Sequence, residues 1–179
     1  MAAAIRGEAR AVASILGGVP LRALREAYPD RPVYRLLPST PVEVRQGVVL
    51  LARAEPQPLD EEVASLFAEL GLLVPLDEPL IDVAMGLMSN APAYYALVAE
   101  AQVDAGVRHG LPADRAGELV VQTMAGTAEL LRRRGGDTLA VRREVASPGG
   151  STARGLAALE REGVRAAFHA AMDDVLGDA

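Results

Sequence analysis

The 179-residue chain contains no cysteine and no tryptophan, only two histidines and only two phenylalanines. Each shortage removes a class of chemistry. Without cysteine there are no disulfides and no thiolate metal sites. With His109 and His169 as the only imidazoles, a histidine-rich metal centre is excluded as well, and no metal is expected. No stretch approaches 18 continuous apolar residues, and no charged-then-apolar leader opens the chain. No membrane partner is therefore expected, and the expected location is cytoplasmic. The net charge is −6, and the densest basic cluster, Arg132-Arg133-Arg134, reads as a helix end whose cations complement the helix dipole. With no basic stripe to neutralise phosphates, no nucleic-acid partner is expected. What is present suits a folded globular chain: 50% apolar and 23% charged residues. Because aromatics are only 3%, burial falls to Ala, Leu and Val, which pack helices closely but leave helical faces in need of a partner.

The first part of the chain alternates between strand and helix patterns. Residues 11–20 read as a short buried strand ended by Gly17, Gly18 and Pro20, and 21–28 as an amphipathic helix. Strands are expected over 32–41, 47–54 and 72–77. A helix is expected over 59–71, with Asp60 as N-cap and Gly71 as C-cap. No Gly-x-Gly-x-x-Gly turn occurs anywhere in the sequence. From Pro79 onward the pattern is helical throughout. The segment from Leu80 to Val98 is apolar on nearly every face, which predicts helix buried all round, broken or kinked at Pro92. A helix beginning near Pro112 repeats apolar positions at 3-4 spacing and ends at Gly135-Gly136. The expected fold class is mostly α: an α/β segment over residues 1–78, followed by an all-helical domain over 79–179.

Between two of these helices the chain reads Ser147-Pro148-Gly149-Gly150-Ser151-Thr152. The first turn of a helix leaves backbone N–H groups unpaired, and together with the dipole they favour an anion. The glycines would admit close approach, and Ser147, Ser151 and Thr152 add hydroxyl donors, so the turn suits a small carboxylate. The plainer alternative has Ser147 as N-cap, Pro148 as the first helical residue and the glycines merely turning the chain.

The Ser-Pro-Gly-Gly-Ser-Thr element, Gly155 and the following "LEREGVRAAFHAAM" together resemble the C-terminal signature of the pyrroline-5-carboxylate reductases. "DAGVRHGLPADRA" (104–116), "APAYYALVAEAQVDAG" (91–106) and "RPVYRLLPSTP" (31–41) resemble further segments of that family in the same order. The resemblance implies a remnant of a Rossmann sheet followed by an all-α dimerisation domain, in a homodimer or higher oligomer. It implies hydride transfer from NADPH or NADH to the C=N bond of 1-pyrroline-5-carboxylate, giving proline. It assigns the substrate carboxylate to Val145, Ser147, Gly149, Gly150, Ser151 and Thr152, and places Pro38, Ser39 and Thr40 near the cofactor. It names no catalytic acid or base. The family's glycine-rich half is not among these residues, so this chain alone is expected not to hold a dinucleotide tightly. The family's Asn in the segment matching "RPVYRLLPSTP" is Ser39 here, and its Ser-Gly-Ser-Gly is Met88-Ser89-Asn90-Ala91. A non-catalytic homologue, dimeric and binding a small carboxylate, is the alternative.

Other polar residues carry plainer expectations. His109 reads as a helix C-terminal cap, His169 as part of a solvated face, and Tyr94 and Tyr95 as helix packing. Asp173 and Asp174 point apart on a helix and do not make a metal site.

Overall fold

The computed structural model describes residues 9–177. The chain divides into two compact units, Met1–Pro92 and Ala93–Ala179.

The first unit is a four-stranded sheet in the order β1-β2-β3-β4, made of Val12–Ser14, Val33–Pro38, Gly47–Ala52 and Gly71–Leu76. The first two strands are parallel, β2 and β3 are antiparallel, and β3 and β4 are parallel again. The sheet therefore reverses direction once, and its two parallel pairs point opposite ways. Helix α1 (Leu21–Ala27) links β1 to β2, and α2 (Asp60–Ala68) links β3 to β4. A 3-10 turn, Thr40–Val44, follows β2, and another, Glu78–Leu80, leads into α3 (Ile81–Met88).

Period-2 alternation gives the sheet two apolar faces. On one face Leu37, Leu50 and Ala52 pack with Leu21 of α1 and with Ile81 and Met88 of α3. On the other, Tyr34, Leu36 and Val49 pack with Val63 of α2. Leu36, Val49 and Ile81 are fully buried. Helix α3 lies beyond residue 78, where the sequence turns helical, yet its Ile81 and Met88 complete this core; the unit accordingly closes after Pro92.

Several local expectations shift. The strand expected over 11–20 is only three residues long, and Ile15 and Leu16 are exposed in the loop after it. Asp60 is the first residue of α2 rather than its cap, and its carboxylate accepts the Gln57 N–H at 2.9 Å. Gly71 starts β4 instead of closing α2. Its φ of +141° and its approach to Gly47 explain the residue type, because a Cβ there would overlap the Gly47 carbonyl.

The second unit holds most of α4 (Ala91–Arg108), then α5 (Ala113–Arg133), α6 (Thr138–Val145), α7 (Ser151–Arg161) and α8 (Val164–Gly177). Pro92 falls in the first turn of α4, where its missing N–H costs nothing, so the chain breaks before it instead of kinking at it. His109 and Gly110 (φ +97°) close α4, and Gly135 and Gly136 follow α5, as their sequence positions suggest. All three arginines at the end of α5 are ion-paired, two with Glu129 and Arg134 with Glu144 at 2.8 Å.

This unit has little core of its own. Among its described residues, only Ala116 and Val141 are buried hydrophobics, whereas Leu97, Leu119, Val121 and Leu159 are each more than half exposed. Tyr94 is half-buried and Tyr95 is 56% exposed, so Tyr95 does not pack a core within this chain, and the all-round burial expected up to Val98 is not met inside it. A cleft of about 540 Å³ between α4 and α5 is lined by Tyr95, Met124 and Leu131.

Candidate functional site

The residues singled out in the sequence fall in both units. In the first, Pro38, Ser39 and Thr40 sit at the carboxyl end of β2. That end adjoins the carboxyl end of β1, because the two strands are parallel. Crevices outside the carboxyl ends of parallel strands are where open α/β sheets bind ligands. Ser39 is only 3% exposed and already engaged: its Oγ accepts the Val48 N–H at 2.9 Å, and its own N–H donates to the Val48 carbonyl at 2.9 Å. Its side chain thus extends the β2–β3 pairing by one residue. Thr40 is exposed and Pro38 half-buried, so these two can face a ligand directly.

A dinucleotide also needs a cradle for its pyrophosphate, made of free amides at a glycine-rich turn into a helix. The start of α1, the helix that follows β1, does not supply one. Helix α1 is preceded by Pro20, which has no N–H, and the Leu21 N–H already donates to Glu78 Oε1 at 2.7 Å. A carboxylate at that helix start repels phosphate.

In the second unit, the chain leaves α6 at Val145, which is 61% exposed, and turns through residues 146–150. The turn closes on a Gly150 N–H donated to the Ser147 carbonyl at 3.0 Å. Gly149 is left-handed, with φ +71°. Gly150 is the N-cap of α7, with φ −68° and ψ 170°, and no side chain caps the helix. The reading with Ser147 as N-cap and Pro148 as first helical residue is thereby displaced: the helix starts at Ser151, three residues later. The first intrahelical bond is Arg154 N–H to the Gly150 carbonyl at 3.2 Å, and among the described residues the amides of Ser151, Thr152 and Ala153 meet no acceptor.

A Cβ on Gly150 would run into the Ser147 hydroxyl, so Ser147 leans over that glycine and its Oγ lies beside the helix start. Ser151 is exposed and Thr152 half-buried, both in the first turn of α7. Ser147, Gly149, Gly150, Ser151 and Thr152 are thus neighbours around one helix N-terminus, with Val145 at the end of the preceding helix. Sequence reasoning passed over Arg154, whose Nη1 donates to the Gly149 carbonyl at 2.7 Å and braces the left-handed residue. The signal is its position four residues after Gly150, one helical turn on.

Among the described residues no three His, Asp or Glu side chains gather as metal ligands would, and no helix is long and apolar enough to cross a membrane. His109, His169, Asp173 and Asp174 are all exposed.

Comparison with known proteins gives a consistent answer. Residues 78–178 match the family model described as pyrroline-5-carboxylate reductase dimerisation. A pyrroline-5-carboxylate reductase of Synechocystis is 39% identical over 160 residues, covering 88% of this chain and 60% of the relative. A solved structure of the Coxiella burnetii pyrroline-5-carboxylate reductase superposes with a TM-score of 0.88 at 27% identity, over 94% of this chain and 64% of that one. A Plasmodium falciparum pyrroline carboxylate reductase solved with NADP bound superposes with a TM-score of 0.80 at 28% identity, over 91% of this chain and 67% of that one. The chain spans about three-fifths of the length of the curated relatives it matches. From the family match over more than half its length and the agreement of fold, the chain belongs to the pyrroline-5-carboxylate reductase family.

Proposed function

We propose that this chain carries the substrate-binding and dimerising part of a pyrroline-5-carboxylate reductase, the enzyme that reduces 1-pyrroline-5-carboxylate to proline with NADPH or NADH. The observation that carries the reading is the start of α7. It has three unengaged amides and no side-chain cap, in a segment that lies inside the family match. A carboxylate suits that place because the amides point at it and the helix dipole favours negative charge. Gly149, Gly150, Ser147, Ser151 and Thr152 form the nest, and Val145 offers an apolar edge to a five-membered ring. Pro38, Ser39 and Thr40 belong with the flat end of the cofactor, Ser39 by shaping the loop, since its N–H, carbonyl and hydroxyl are all hydrogen-bonded to Val48 and Val42. The α/β part, whose core α3 completes, and the helical part after it then share these roles, in a cytoplasmic protein.

The same family match supports a homodimer, and so does the second unit's shortage of buried side chains. A helical unit whose large apolar residues, Val141 apart, are exposed or only partly buried gains stability by covering them with a second copy, and an obligate interface of that kind buries about 2,000 Å² or more in total. The rival reading, a dimeric carboxylate-binding protein without turnover, draws on one observation: the start of α1 offers no pyrophosphate cradle.

Calorimetric titration of the 179-residue chain with proline and with NADPH separates the two. Proline binding with no NADPH binding supports the carboxylate nest and leaves hydride transfer to whatever completes the cofactor site. Absence of proline binding overturns the proposal.

A further inference from the structure

The centre of β2 holds an arginine where the alternation calls for an apolar residue. Arg35 shares its face of the sheet with Val33 and Leu37, and its side chain is 6% exposed. Burying a guanidinium costs several kcal/mol, and an ion pair returns no more than apolar packing would. Its partners show what the residue achieves instead. Nη2 donates to the Gly17 carbonyl at 2.6 Å, in the loop after β1. Nη1 donates to Glu78 Oε1 at 2.8 Å, and the same oxygen accepts the Leu21 N–H at 2.7 Å, at the start of α1. Asp82 of α3 adds a second carboxylate 3.9 Å from Nη2. One planar group therefore ties the loop after β1, the start of α1 and the turn before α3 to the middle of β2. Among the described residues, the loop has little else: Leu16 N–H to Ser14 Oγ and Val19 N–H to the Leu16 carbonyl are both long, at 3.4 Å.

We infer that Arg35 is a positioning residue. With Glu78 it clamps the Gly17–Leu21 backbone, and so fixes the loop that follows the carboxyl end of β1 before any ligand arrives. The inference rests on the proposed function only in naming the flat end of the cofactor as the ligand this loop would face. The clamp itself is read without ligand.

Residue-resolved amide hydrogen exchange on the whole chain tests it. In Arg35→Met, exchange at Val19 and Leu21 should rise roughly tenfold to a hundredfold relative to Val49 and Leu51, the factor expected for losing a hydrogen bond to a charged group. Arg35→Lys keeps the charge but reaches fewer acceptors, so it should give an intermediate local rate. A general structural role would accelerate sheet and loop amides together, with no such ranking. Equal acceleration everywhere, or unchanged Val19 and Leu21, overturns the inference. If Arg35→Met does not fold, the Lys variant decides alone: a local increase supports the clamp and none overturns it. Proline titration of the same variants reads the carboxylate nest, so failure of the proposed function is seen separately from failure of the clamp.

Discussion

The two adjacent glycines before α7 are demanding for different reasons, and single substitutions should tell them apart. Gly149 has φ +71°, and an added Cβ would meet nothing within 4 Å. Its requirement is conformational alone. Alanine in the left-handed region costs about 1–2 kcal/mol, whereas asparagine visits it routinely. Gly150 has φ −68°, which any residue adopts, but a Cβ there would strike the Ser147 hydroxyl and lie 3.1 Å from the Ser147 carbonyl. Its requirement is steric, and the offending hydroxyl can be removed. Gly149→Ala should therefore lose about 1–2 kcal/mol in denaturant unfolding, and Gly149→Asn much less. Gly150→Ala should lose stability that the double variant Ser147→Ala/Gly150→Ala largely regains, while Ser147→Ala should not rescue Gly149→Ala. If the free turn instead relaxes in Gly149→Ala, the same penalty moves to ligand binding. A cost of one to two kcal/mol corresponds to a roughly 5- to 30-fold loss of proline affinity by calorimetry. Wild-type unfolding and wild-type proline affinity in Gly149→Ala, together with no rescue of Gly150→Ala by Ser147→Ala, would refute this account of the turn.

Thr152→Val keeps the shape of the nest and removes one donor to a charged ligand, so proline affinity should fall roughly 10- to 150-fold in a calorimetric titration, with unfolding almost unchanged. Leu97→Asp and Leu119→Asp place charge on side chains that are 64% and 57% exposed in the single chain, and sedimentation at low micromolar concentration should show both converting dimer to monomer. The 179-residue chain should show no micromolar binding of NADPH or NADH by calorimetry. The Glu160 carboxyl is held below its ordinary range chiefly by its hydrogen bond with Arg165. Its contribution to stability is thus present above the ordinary carboxylate range and lost as pH falls through the lowered value. Carbon-detected titration of Glu160 should show the low midpoint, and Arg165→Gln should move it back up.

The parts of the fold that sequence made legible were those set by short-range chemistry. Strand alternation in Val33–Pro38 and Gly47–Ala52, the glycine stop after α5 and the 3-4 pattern within it all depend on neighbours a few residues away. Long-range partners decided the rest. Residues 11–20 are apolar enough for a strand throughout, but only three find a partner in β2. Gly71 looks like a helix stop until Gly47 is seen beside it. At the turn before α7, residue types pointed to a helix start but not to its place, because Ser147 is as good a cap in composition as Gly150 is in geometry. Arg35 and Arg154 were invisible as anchors, since each acts on a carbonyl that sequence alone does not place beside it.

One property of the turn before α7 bears on how its occupancy responds to surroundings. From Val145 to Ala153 no residue carries a titratable side chain. An anion held there by peptide amides meets a donor set that acidification cannot alter. Its retention follows the ionisation of the guest and the competing salt, not the acidity of the medium. For the proposed carboxylate, ligand supply and ionic strength, rather than a proton switch within the turn, would set occupancy.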